Sequence, residues 1–337
     1  VESGLARQLR LPKQESARVG RLSHVVAWVV PAAVAAIDAF RHGLTAGGDA
    51  PLFIWAGRTL LSGQWSHAFS HSIVQAGPLQ LALFGSLGRS SDALALVLAP
   101  ATALLVVAAV RAVGVTNPVL YGGAGLLAVA TGLTRVGYAA GHPADALLPL
   151  IWILAAADAR RGHVYRAGLL IGLCAGLETW GILGVAVLVF APRRREAAIG
   201  ALVAGATALA LFLPFLLGGH FAMLSLQWQV RPPAPISLFV AAGTPFGWPL
   251  RLAQGLVAVG AGVAVARLLR DSPHGLWAAP LAIVCARLLL DPLLLSYYLA
   301  GLKGPVFVGA AVVASSVLLK RRVESSSGAS AAVGATR

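Results

Sequence analysis

From about Leu22 to Leu319 the chain repeats one pattern, a long apolar run followed by a short break rich in charge, proline or glycine. A helix needs about 20 mostly apolar residues to cross the hydrocarbon core of a bilayer, and these runs supply them in succession. They contain Gly and Pro but no sustained period-2 alternation, which selects helices over an outer-membrane barrel. Of the 337 residues 58% are hydrophobic and 11% charged. Soluble domains carry roughly 25% charge, so a water-soluble fold of this makeup would have no surface to show. The expectation is an all-α, polytopic membrane protein with about 8–10 membrane helices, short or re-entrant ones included.

The net charge of +14 raises the question of nucleic acid. The basic residues, however, sit in short clusters at the ends of apolar runs and not along one polar face, so membrane orientation explains them and no nucleic-acid partner is expected. Cys174 and Cys285 both lie in apolar segments, which indicates neither a disulfide framework nor a zinc site.

By the positive-inside rule, Arg7, Arg10, Lys13, Arg18 and Arg21 mark residues 1–21 as a cytoplasmic N-terminus, and Lys320, Arg321 and Arg322 open a cytoplasmic, Ser/Ala/Gly-rich tail over 320–337 that reads as disordered. Between them, 22–319 reads as a single transmembrane domain. Residues 41–91 form a first outer loop with helices lying at the interface, including Ile73–Leu87, and carry Phe53, Trp55, Trp65 and Phe69 at the depth where aromatics collect. The polar stretch Thr134–Asp145 is expected outside, and 218–248 is a second long outer loop. The segment Ala167–Phe190 has arginines at both ends, Arg166 and Arg193 to Arg195. A helical hairpin turning near Gly176–Thr179 keeps both clusters inside; a straight span would put three arginines outside. On this scheme eight basic residues face outward: Arg41, Arg58, Arg89, Arg135, Arg231, Arg251, Arg287 and Lys303.

Only twelve residues are acidic. Asp38, Asp49, Asp92, Asp145 and Asp291 fall on the outer side, and Glu178 alone lies deep in an apolar run. Charge at membrane depth is costly enough to require a partner or a function, so a polar cavity opening outward is the default site. Asp49 stands in Gly47-Gly48-Asp49-Ala50-Pro51, where two glycines permit close backbone approach to a ligand and Asp49 is either the cap of the helix that follows or a functional carboxylate. His142 and Asp145, in Gly141-His142-Pro143-Ala144-Asp145, read as a helix cap or as a pair that orients a hydroxyl. No cofactor is expected, and a divalent metal enters only as the lesser reading of these two ligands. Arg287 and Asp291 are four residues apart, an intrahelical ion pair or a phosphate site beside Tyr297 and Tyr298. No Walker loop, nucleophile elbow or dinucleotide fingerprint occurs.

Asp49-Ala-Pro-Leu-Phe53-Ile-Trp-Ala56-Gly-Arg-Thr-Leu60-Leu61-Ser-Gly63 resembles the first outer-loop motif of the GT-C superfamily, polytopic glycosyltransferases that use polyprenyl-phosphate-linked sugars. Gly141-His-Pro-Ala-Asp145, Ala159-Arg-Arg-Gly162, Ala167-Gly168 to Gly172 and Asp291-Pro292 to Tyr297-Tyr298 are similar to later motifs of its bacterial mannosyl- and arabinofuranosyltransferase group, in the same order over residues 20–320. The chain is shorter than is usual there, and Glu178 stands where those proteins more often have Lys or Thr.

The resemblance implies an inverting glycosyltransferase at the cell membrane, its site on the extracytoplasmic face and both termini inside. The donor would be a polyprenyl-phosphate-linked sugar and the acceptor a cell-envelope glycan or glycolipid. Asp49 would be the general base. Arg287, and after it Arg58, Arg135, Arg231 and Lys303, would meet the lipid phosphate, while Asp145, His142, Asp291, Tyr297 and Tyr298 would line the substrate site. A secondary transporter or lipid-linked-sugar flippase is the rival reading, carried by Glu178 and the interrupted hairpin.

Overall fold

The computed structural model describes residues 13–88 and 90–334, so Arg7, Arg10 and Arg89 lie outside the described residues. It is helical almost throughout. Helix α1 (Lys13–Arg41) leads into α2 (Ala50–Leu61) and α3 (Pro78–Leu87), then α4 (Ser91–Ala112) and α5 (Pro118–Ala130). Next come α6 (Pro143–Arg160), α7 (Val164–Leu177), a 3-10 helix (Thr179–Phe190) and α8 (Arg194–Gly218). A two-residue hairpin, β1 (Trp228–Gln229) with β2 (Pro245–Phe246), precedes α9 (Trp248–Leu268), α10 (Gly275–Leu289) and α11 (Ala300–Gly334).

Among the described residues five helical segments are long and apolar enough to cross a membrane, and six if the bent stretch 118–140 counts as one span. The expected set of about 8–10 includes short and re-entrant helices, so these full-length segments are only part of it. Four further apolar helices, α3, α7, the 3-10 helix and α10, are too short to pass the same test. At about 1.5 Å per residue, α3 rises about 15 Å, half the hydrocarbon thickness, so Ile73–Leu87 is not a span. It is not a surface helix either, for Gln80, Leu81, Phe84 and Gly85 are buried where α3 crosses α2 at Gly57 and Gly85. Phe53 and Phe69 are likewise core residues, while Trp55 and Trp65 stay exposed.

The hairpin expected over 167–190 is present. Arg160, just before α7, lies 4.8 Å from the ring of Phe190, so both arms end together. The turn falls at Glu178, whose backbone bridges Ala76. Gly181 sits on the backbone of Cys174 and Ala175, an approach that a side chain would block. The 14 residues of α7 rise about 21 Å and the 12 of the 3-10 helix about 24 Å at about 2.0 Å each. The tighter winding lets fewer residues match the longer arm, and neither reaches the roughly 30 Å of a full crossing.

Helix α6 is the axis of the molecule. It is buried along nearly its whole length, which is why it can hold Asp145, Trp152 and Asp158 out of water. One stretch is more ordered than its polarity suggests, and one expectation needs correction. The stretch Thr134–Asp145 is no exposed loop: Leu133–Arg135 is a short 3-10 turn and Val136–Ala140 one π turn, bent 64° from α5, with Thr134 and Tyr138 buried. The backbone polar groups of a buried irregular loop would lack partners, and helical turns supply them. The C-terminal tail is helical through Gly334, because extending an existing helix costs far less than starting one.

Candidate functional site

The site is assembled where two glycine-bearing loops lock together. Gly47 donates its N–H to the Tyr138 carbonyl and Asp49 to that of Ala140, both at 3.1 Å. Gly48 (φ +56°) and Gly141 (φ +82°) adopt left-handed backbone, and a Cβ on either would stand within 2.4 Å of the opposing chain. The glycines therefore admit backbone to backbone. They do not form the approach to a ligand that the sequence suggests.

This clasp places Asp49 beside His142. Asp49 is the N-cap residue of α2, yet its side chain makes no capping bond. Instead Oδ2 lies 2.9 Å from His142 Nε2, with the carboxylate half exposed and the imidazole nearly buried. His142 stacks on Tyr297, ring centroids 4.2 Å apart, and packs edge-on against Phe53 at 5.8 Å. Tyr297 meets Tyr298 at 4.9 Å, and Tyr298 lies 5.2 Å from the Arg287 guanidinium. An unbroken series of contacts thus runs from Asp49 to Arg287.

Arg287 is the centre of the second half. It is buried with its plane over Trp180 at 4.2 Å, and it faces Asp145 at 3.8 Å and Asp291 at 3.5 Å. The pairing expected of Arg287 and Asp291 is present, but Asp291 lies past the end of α10, so the pair is not intrahelical, and Asp145 shares the cation. Burial pushes the Asp291 carboxyl above its ordinary value, against the pull of Arg287 and of a backbone N–H from Leu293. Gln254 donates to Asp291 at 3.4 Å and to the Arg287 carbonyl at 3.0 Å. One oxygen each of Asp145 and Glu178, and the indole N–H of Trp180, have no hydrogen-bond partner among the described residues. They are acceptors and a donor available to a hydroxylated molecule.

A cavity of about 420 Å³ opens from this cluster between the 3-10 helix and α9. Arg287, Asp291, Gln254 and Tyr298 form its polar end. Leu252 and Leu256, on the same cavity wall, are 61% and 74% exposed. Since α9 is one of the helices long enough to span, the cavity opens beside an exposed apolar face of that helix.

The other basic candidates are not gathered here. Arg58 donates to the Gly88 carbonyl at 2.7 Å and ties α2 to α3. Arg135 pairs with Asp38 at 3.6 Å, and Lys303 donates to the Thr131 carbonyl at 2.9 Å, which caps the end of α5. Arg231 is exposed near Pro292, held there by its backbone N–H. No group of three or more metal-ligating side chains occurs among the described residues. Trp180 and Gln254 border the cavity without having stood out in the sequence, because each belongs to an element whose pattern shows only its apolar neighbours, and Arg251, expected on the outer side but not at the site, borders it too. Glu178 did stand out, and its place at the hairpin turn brings it to the cavity margin beside Thr179 and Trp180. Comparison of the chain with family models, with curated proteins and with solved structures finds no match.

Proposed function

We propose that the chain is an inverting glycosyltransferase of the GT-C kind, moving a monosaccharide from a polyprenyl-phosphate donor to a cell-envelope glycan or glycolipid. One observation carries this reading: Asp49 begins a helix without capping it, and its carboxylate is instead held by His142 at the head of the contacts leading to Arg287. A general base needs lone pairs open to a substrate and an orientation fixed by a neighbour; the half-exposed Asp49 carboxylate, held by His142 at 2.9 Å, supports that reading.

In the reaction the acceptor hydroxyl gives its proton to the Asp49 carboxylate as its oxygen bonds to the anomeric carbon. The bond from that carbon to the phosphate oxygen breaks, and the electron pair leaves with the polyprenyl phosphate. Asp145 and Glu178 offer free oxygens to sugar hydroxyls. The Arg287 guanidinium, at the polar end of the cavity, meets the charge that grows on the leaving phosphate. The isoprenoid tail would lie past Leu252 and Leu256 in the bilayer. The site would face the extracytoplasmic side, with both termini in the cytoplasm.

The test is transfer from radiolabelled mannosyl- and arabinofuranosyl-phosphoryl-polyprenol in membranes that contain the protein or its Asp49→Asn variant. A proton acceptor is worth about 10²–10⁴ in rate, so the variant should lose at least about a hundredfold with unchanged abundance. Undiminished transfer would remove Asp49 from the chemistry. The Glu178 carboxylate at the tip of a re-entrant hairpin favours one rival, a transporter or lipid-linked-sugar flippase. That reading expects Glu178→Gln to abolish an ion-gradient-driven flux and Asp49→Asn to leave it intact.

A further inference from the structure

At the opposite end of α6 from Asp145 lies a cavity that the transferase reading does not use. It measures about 840 Å³ and is lined by Arg193, Arg194, Arg267 and Arg270, with Val189, Pro192 and Ala197 as its apolar wall. Two parts of the chain supply the cations: the break between the 3-10 helix and α8, and the last turn of α9 with the residues after it. Arg270 fixes the two parts together by donating to the carbonyls of Ala191 at 2.8 Å and Pro192 at 3.3 Å. None of the four guanidinium groups makes an ion pair among the described residues, although Glu196 and Asp271 are close in sequence. Ala197, in the first turn of α8, brings the start of a 25-residue helix to the cavity, and its unpaired N–H groups add to the positive field.

Four like charges around one cavity repel, and folding them together without a counter-charge is unfavourable unless an anion joins them. Leu268, between two of these arginines in sequence, is 82% exposed, and Leu202 on α8 is 72% exposed. An apolar rim next to a cationic cavity at the end of spanning helices matches a molecule with an anionic head and acyl chains.

We propose that Arg193, Arg194, Arg267 and Arg270 form a binding site for the phosphodiester head group of an anionic phospholipid. The arginine forks meet phosphate oxygens two at a time, while the chains descend along the exposed leucines of α8 and α9. The bound head group links the hairpin break to the end of α9, so occupancy should also stabilise the fold. The inference is independent of the glycosyl-transfer reading.

The experiment is native mass spectrometry of the full chain titrated with phosphatidylglycerol or phosphatidylcholine, with thermal unfolding measured in nanodiscs of each lipid. The wild type should retain one phosphatidylglycerol at least about tenfold more tightly than phosphatidylcholine and melt higher in its presence. R193Q/R194Q/R267Q should lose that preference; Arg270 is left in place because it holds the Ala191 carbonyl. R111Q/K320Q/R321Q, which removes three charges elsewhere at the same end, should keep it. Equal retention of the two lipids by the wild type would overturn the proposal without reference to any variant. So would an equal loss in both triple variants, since that is the behaviour of unspecific surface charge. Millimolar inorganic phosphate arms the remaining outcome: if it displaces the lipid and raises the melting temperature as much, the site binds a soluble anion and not a lipid.

Discussion

Helix α6 buries an aspartate at each end, and the two are treated differently. Asp158 has two arginines and a histidine as neighbours, Arg166 at 3.0 Å and Arg161 and His163 at 3.9 Å, and these partners are 52–72% exposed. The exposed arginine heads lean in to neutralise the one carboxylate. Asp145 has one guanidinium, Arg287, which is itself only 10% exposed and shared with Asp291. At one end cations outnumber the buried acid; at the other acids outnumber the buried cation. The first arrangement costs little to build and asks for nothing more. The second leaves Asp145 Oδ2 with neither an ion pair nor a hydrogen bond, whereas Asp158 Oδ2, which also lacks a hydrogen bond, has Arg166 at 3.0 Å; a fold retains such a cost where a ligand makes use of it.

Removing Arg287 is the most severe way to probe that contrast. Arg287→Gln leaves Asp145 and Asp291 facing each other without a cation, and breaking a buried pair costs about 3–5 kcal/mol. Thermal unfolding in detergent should show a large fall, and D145N/D291N in the same background should recover much of it. If Arg287→Gln melts with the wild type, the cluster is wetter than its burial indicates and the two ends are alike.

The next effect concerns the clasp that brings Asp49 to His142. Gly141→Ala places a Cβ 2.4 Å from the Ala50 nitrogen on a residue with φ +82°. Left-handed strain alone costs about 1–3 kcal/mol. The loops must also separate, so on the proposed function transfer should fall more than stability does. Unchanged activity with a lowered melting point would show that the 2.9 Å Asp49–His142 contact is not needed in that geometry.

Much of this was legible in the sequence. The hairpin over 167–190 follows from arginines at both of its ends, and the Arg287–Asp291 pair from a spacing of four. The loops that lead into the helices at Asp49 and Asp145 are marked by their Gly and Pro residues. The number of full spans was not legible, because hydropathy does not distinguish a helix crossing lipid from one such as α3 buried in protein. Nor was the fate of individual arginines: Arg58, Arg135 and Arg287 all lie on the expected outer side, yet only Arg287 reaches the cavity. Which partner a guanidinium meets depends on packing between segments far apart in sequence, and periodicity along one helix carries no record of it.

The smallest effect belongs to the Asp158 end and is the sharpest check on the contrast. Arg166 makes the shortest contact to Asp158, 3.0 Å, against 3.8 Å from Arg287 to Asp145. Ranked by distance, Arg166 would be the more important residue. Ranked by exposure it is the lesser one, because its head is 72% exposed, Arg161 and His163 remain within reach of the same carboxylate, and exposed pairs contribute roughly 0–1 kcal/mol. Arg166→Gln should therefore shift the melting point by no more than a few degrees and leave glycosyl transfer and lipid retention as they are. A loss comparable to that of Arg287→Gln would mean that contact distance, and not the burial of the partner, governs the energetics at both ends of α6.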